Sequence, residues 1–268
     1  MKIHHILSVL ISAALFCSCE KDLDLKYHYI DPLTVIEAEL TPDGMKAGIT
    51  LTTPMDEPMD RTRLTDASVT LTDLTSATEY YLTPDADGYY VDPTPGIPGH
   101  DYRLTVEREG DTYVAETHMY PPVEITGLEF KWIKMPYDNV AVFQGQFTDD
   151  TSAVGDCFWI KLYRNGKIYM WNEQDDRGAV DGQVTFFTMT SRMDTDEEDD
   201  DEALFDGDVL TFSVSRITRS MHDYLEALQN DSSGPAMFSG PRCLGYFIAT
   251  SPVSESIEFH PDRIPFYR

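Results

Sequence analysis

Two cysteines near the N-terminus carry the clearest chemistry in the chain. Cys17 follows the bulky Phe16 and Cys19 the small Ser18, and lipid attachment to a cysteine needs a small residue before it. Leu15 and Phe16 supply the apolar part of the recognition site. Upstream, Lys2 gives a short positive region, and Ile6 to Phe16 is an apolar run broken only by Ser8 and Ser12. A spanning helix needs roughly 20 apolar residues, so this run is too short to cross a bilayer and fits a signal-peptide core. The expectation is a signal peptide over 1–18 and a tether over 19–32, with Cys19 the lipidated, palmitate-bearing residue. Two or three acyl chains, at about 0.8 kcal/mol per buried methylene, anchor far more firmly than one.

Cys157 and Cys243 are the other two cysteines. Both sit in apolar, strand-like runs, and an oxidising compartment permits a disulfide between them; two buried free thiols are the alternative. No CxxC, HxH or HExxH spacing occurs, so zinc and redox motifs are absent. Residues 194–202 hold eight carboxylates in nine positions. Like charges so close repel, so a solvated loop is the plain expectation. A calcium site using Asp196, Asp199 and Asp201 is the sharper alternative, because hard cations take oxygen ligands, and docking to a basic partner is a third. Asp85, Asp87 and Asp92 around Gly88 read as turn residues between strands rather than a calcium loop. Met55 and Met59 lack the His or Cys pair that a copper site would add. His28, His100, His118, His222 and His260 share no spacing, and Ser239-Gly240 makes no nucleophile elbow. No catalytic residue, and so no enzyme, is expected. Among the aromatics, Trp132, Trp159 and Trp171 all fall in the second half, and Trp171, near a strand end, could offer a ligand or partner a stacking surface.

The whole chain that must hold these residues has 47 acidic and 20 basic residues, a net charge of −27. Such a body repels nucleic acid and anionic headgroups, which leaves a lipid anchor as its only expected membrane contact. Apolar residues make up 41% of the chain, enough for real cores. Alternating runs rich in Val, Ile, Thr and Tyr, separated by Gly, Pro and Asp turns, predict an all-β protein with one short helix in two domains. Seven short strands over 33–118 predict a β-sandwich that resembles immunoglobulin-like and transthyretin-like accessory domains. Pro121-Pro122 marks a linker over 119–123. Residues 124–268 predict a larger β-sandwich or barrel-like sheet, with Asn165-Gly166 as its strongest hairpin turn and Cys243–Ala249 and Ser254–Phe259 closing its sheet. Met221, Tyr224, Leu225 and Leu228 give a helix over 219–230 with Ser220 as cap, covering that sheet.

Five stretches carry a family resemblance: Cys19 to Leu25, Tyr163 to Lys167, Gly207 to Leu210, the helix around His222-Asp223-Tyr224, and Leu244 to Phe247. Their order and spacing resemble the Bacteroidetes outer-membrane lipoproteins of domain-of-unknown-function family 4249. The sequence departs where members carry a longer Pro- and Asn-rich loop; here only Phe238 to Arg242 precedes Cys243. The acidic Glu20 to Asp24 stretch resembles the surface-export signal of such lipoproteins, which favours the outer face of the outer membrane. The resemblance implies a non-catalytic binding or scaffolding accessory of a TonB-dependent nutrient receptor, with no cofactor. The alternative is a structural surface protein, a fimbrial subunit or adhesin, for which the tail Arg263 to Arg268 is the candidate donor strand.

Overall fold

The computed structural model describes residues 31–54, 57–58, 62–136, 139–149, 155–192 and 203–266. In the first half, alternation of buried and outward residues sets each strand's face. Strand β1 (Thr34–Thr41) buries Ile36, Ala38 and Leu40 and turns Glu37 and Glu39 to its other side. The same period of two runs through β2 (Gly44–Leu51), β3 (Ser68–Asp73), β6 (Asp101–Arg108) and β7 (Asp111–His118). With β4 (Thr78–Pro84) and β5 (Tyr90–Asp92), these are the seven predicted strands. They pair in the order β1-β2-β5-β4-β3-β6-β7 round one core that includes Leu71, Tyr90 and Leu104. The β4–β5 ladder has only the pairs Thr83/Val91 and Pro84/Tyr90, the weakest joint of the sheet.

The second half continues with β8 (Glu124–Lys134), β9 (Asn139–Thr148), β10 (Cys157–Arg164), β11 (Lys167–Asp175), β12 (Gln183–Arg192) and β13 (Val209–Ile217). Asn165 and Gly166 both have positive φ, 50° and 81°, as the predicted two-residue hairpin turn requires. Helix α1 (Arg219–Gln229), β14 (Leu244–Ala249) and β15 (Val253–Glu258) complete the chain. Two sheets, β11-β10-β13-β15 and β12-β9-β8, enclose a core rich in phenylalanine, including Phe143, Phe147, Phe158 and Phe212. The fold is all-β with one helix among the described residues, as expected. The helix cap differs: Thr218, not Ser220, accepts the Met221 amide, and Leu228 is 50% exposed while His222 is buried in its place.

Strand β14 departs from expectation more instructively. It does not close the second sheet, as β15 does on β13; it lies parallel to β1, from Val35/Leu244 to Leu40/Ala249. Phe247 and Ala249 enter the first core, while Ile248 and Tyr246 face a third cluster with α1. A strand covered on both faces reads as a continuous apolar run, so its pattern could not say which sheet it joins. Gly245, at φ +101°, makes the approach feasible, since a Cβ there would stand 2.0 Å from the Ile36 carbonyl. The predicted linker is likewise pinned. Met119 is fully buried in the first core and exchanges backbone hydrogen bonds with His100 and Gly99. Residues 32–268 group as one unit.

Candidate functional site

Period two divides β10 between two environments. Phe158, Ile160 and Leu162 face the phenylalanine core, and Cys157, Trp159 and Lys161 face the opposite way, towards α1 and β14. Register then places Glu173 across from Trp159 and Trp171 across from Lys161 on that outer face. Trp159 stands edge-on to Trp171 at 6.5 Å and to Tyr246 of β14 at 6.1 Å, and Tyr224 of α1 adds a ring 5.9 Å from Tyr246. The Lys161 ammonium lies 3.7 Å over the Trp159 ring and 3.7 Å from Glu39 of β1. The aromatic nest is therefore built from both halves, with β14 as the element that brings them together.

Electrostatics sharpen this picture. Burial, with Glu37 and Glu39 adding negative charge, pushes the Tyr246 phenol well above its ordinary range. Tyr224 and Tyr163 are raised too, first by burial and then by Glu37 and Glu39 respectively. The Trp159 indole N–H and Glu173 Oε2 are both buried and make no hydrogen bond among the described residues. Leaving a donor and an acceptor bare costs about 1–3 kcal/mol each unless something bonds them. On laterally paired residues they suit one group that both accepts and donates, as a hydroxyl does.

Trp171, the predicted contact residue, thus sits at the partly buried rim of the nest. Cys157 and Cys243 are both free thiols in this structure, Cys157 buried and Cys243 half-buried. Cys157 is buried in the third cluster while Cys243 packs on the first core, because β14 crosses to the first sheet. Burial raises the Cys157 thiol to about 11, which keeps it protonated and unreactive at neutral pH. Asp85 Oδ1 accepts from the Asp87 and Tyr89 amides, the turn role expected of it. Cys19 and the calcium candidates Asp196, Asp199 and Asp201 lie outside the described residues.

Two other groups have the donor types of a metal site. His222, Asp223 and Glu226 share one turn of α1, and Asp149, Asp156 and Asp176 bring oxygens within 4.8 Å of one another. In the second group Asp176 accepts the Gly155 amide on both oxygens, at 2.7 and 2.9 Å, and Arg216 pairs with Asp156. The guanidinium already supplies positive charge where a hard cation would. A cavity of about 450 Å³ near the start of β1 is lined by Thr34, Arg108, Asp111, Tyr113 and Arg242 among others. Its charges largely cancel, since Arg108 is held by Asp66 at 2.8 Å and Glu109 at 3.0 Å.

With this geometry in hand, comparison with known proteins is informative at one level. The family model described as Domain of unknown function (DUF4249) matches residues 20–253. The chain belongs to that family. No curated protein matches it. A crystal structure of a "putative carbohydrate binding protein" from Bacteroides uniformis aligns over 84% of this chain and 98% of its own, at 11% identity and a TM-score of 0.24. A likeness of that size carries no argument about this chain.

Four of the five stretches that marked the DUF4249 resemblance lie in the described residues and have physical roles. Asp208 joins two of them, accepting from Arg164 Nε at 2.8 Å and Asn165 Nδ2 at 2.7 Å, and it also accepts the Phe205 amide at 2.8 Å. That clamp fixes the β10–β11 hairpin, which carries Trp159, Lys161, Trp171 and Glu173. Leu244 to Phe247 is the crossing strand, and His222-Asp223-Tyr224 supplies the helix ring of the nest. Sequence reading had missed Glu37, Glu39, Lys161, Glu173 and Tyr246 as a group. For Glu37, Glu39, Lys161 and Glu173 the only signal was period two on β1, β10 and β11, which says which face each occupies but not that those faces meet. Tyr246 lay in the continuous apolar run of β14.

Proposed function

We propose that this DUF4249 chain is a lipid-anchored, surface-exposed outer-membrane protein that binds without catalysis, as an accessory of a TonB-dependent nutrient importer. Cys19 behind a short signal core supports the anchor, and the resemblance to Bacteroidetes lipoproteins supports the location and the receptor. The observation that carries the binding role is the aromatic nest, where Trp159 Nε1 and Glu173 Oε2 stand unbonded beside Trp171 and Tyr246. Rings that cover apolar faces, with a bare donor and acceptor beside them, suit a small hydroxyl-bearing nutrient. The structural-protein alternative needs a free donor strand, and its candidate tail is engaged at home: the Trp132 amide donates to Pro265, and Phe266 bridges to Trp132.

Affinity isolation of the tagged full-length chain from detergent-solubilised outer membranes, followed by mass spectrometry, tests this reading. It predicts a TonB-dependent receptor in stoichiometric yield. Self-polymers, or the chain by itself, would sink it.

A further inference from the structure

Sheet edges present unpaired N–H and C=O groups, and proteins normally cover, charge or bend them. Here most are covered. Ser239 exchanges two backbone hydrogen bonds with Val114 on β7, at 3.0 and 2.8 Å. Gln229 of α1 reaches the Trp171 carbonyl of β11 at 3.4 Å. Pro265 accepts the Trp132 amide of β8 at 2.9 Å. On β15, Glu255 and Glu258 stand exposed as charged sentinels.

Along strand β12, Val180 exchanges two backbone hydrogen bonds with Gln183 and Gln174 of β11 reaches the Thr185 carbonyl, but among the described residues no hydrogen bond reaches the outer backbone edge from Phe187 to Met189. It is the outer strand of β12-β9-β8 and shares no ladder with β11, the edge strand of the other sheet. The Thr185 carbonyl points away from β9, because it accepts from Gln174 Nε2 of β11 at 3.1 Å. Period two then turns the backbone groups of Phe187 and Met189 outward as well, before the bulge that follows Met189. Phe187 and Met189 also expose 59% and 70% of their surface. Gln-Val-Thr-Phe-Phe-Thr-Met contains no charge and no proline, so nothing in it discourages an added strand.

We propose that the outer edge of β12 is a docking site for an extended segment of a partner protein, basic and apolar by turns, which adds as a further strand. Main-chain groups at Phe187 and Met189 would give it register, and the two side chains would give it an apolar face. Charge selects the occupant. A net −27 chain repels a second copy of itself and an anionic bilayer, and attracts a basic segment. The chain's own tail is already seated on β8. This inference rests on the reading that the protein works by binding a partner, and it names the surface for that contact.

The test titrates the full-length chain in detergent with a fluorescent peptide of about eight alternating valines and lysines, the length of an ordinary strand. Saturable binding is expected, retained by Phe187→Leu and weakened about tenfold or more by Phe187→Pro, which removes an outward amide and leaves the β9 ladder alone. Circular dichroism checks that both variants fold. In hydrogen exchange, the Phe187 and Met189 amides should exchange fast in the free chain and slowly with peptide. Failure to bind, equal binding to Phe187→Pro, or slow exchange in the free chain would each overturn the proposal. Should receptor isolation fail while the peptide still adds at β12, only the importer reading falls. If the receptor co-purifies undiminished with Phe187→Pro, only the edge proposal falls.

Discussion

At the outer strand of the first half, β7, Val114 is met by Ser239 from a segment more than a hundred residues downstream; at β12 in the second half, no backbone hydrogen bond among the described residues reaches the outer edge of Phe187. Both strands are short, alternating and apolar on one face. What differs is the expense in backbone geometry. To cover β7 and extend β1, residues 239–249 pass two positive-φ glycines whose Cβ atoms would stand 2.2 Å from Thr112 O and 2.0 Å from Ile36 O. Among the described residues, no such crossing segment covers β12 from Phe187 to Met189. The first half is closed by elements that lock, and the second keeps an exposed strand and the nest residues Trp171 and Glu173 at its outer side. The first half is thus sealed, the second bears the surfaces to which the proposed binding is assigned, and β14 is where the halves join.

The comparison can be broken most forcefully at its lock. Gly245→Val should cost at least about 3 kcal/mol, because it adds a β-branched side chain at φ +101° against the Ile36 carbonyl, and chemical denaturation should show it. Stability unchanged by this variant would mean β14 does not seal the first half. Next is Asp208→Ala, which strips acceptors from Arg164, Asn165 and the Phe205 amide; about 2–3 kcal/mol is expected, and Trp fluorescence should report loosening of the β10–β11 hairpin.

Asp73 and Tyr246 give pH tests with opposite signs. Burial would raise the Asp73 carboxyl, but bonds from His100 and from the Ser76 and Thr75 amides outweigh it and hold it below 3.8. Its stabilisation is present above that value and lost as pH falls below it, so Asp73→Asn should be costly at pH 7 and nearly neutral in strong acid. Tyr246 is raised above its ordinary 10.0, so its contribution is present below that pH and lost above it; Tyr246→Phe should therefore resist alkaline unfolding better than the parent. The smallest stability effect belongs to the open edge: Phe187→Lys, 59% exposed in the parent, should change stability by less than about 0.5 kcal/mol while repelling a basic strand.

How much of this was legible beforehand follows from what periodicity encodes. Alternation found the seven strands of the first half, and Asn165-Gly166 announced its turn, because both are local properties of the backbone. The parallel β1–β14 pairing joins residues about two hundred positions apart, and nothing local in Leu244 to Ala249 specifies its partner. For the same reason the two cysteines, read as lying in strands of one domain, sit apart: Cys157 opens β10 and Cys243 precedes β14, which pairs with β1. Trp171 was singled out from its place near a strand end, while the nest around it depended on Glu39 and Tyr246 arriving from elsewhere. Helix periodicity chose Leu228 for the buried face, yet tertiary contact selected His222.

The most direct measurement is differential hydrogen exchange of the full-length chain, alone and with the TonB-dependent receptor that the proposed function expects to co-purify with it. Protection is expected at β12 and on β11 around Trp171, with β3 and β6 of the first half unchanged. Protection confined to β3 and β6, with β12 exchanging as before, would contradict the division of labour between the halves.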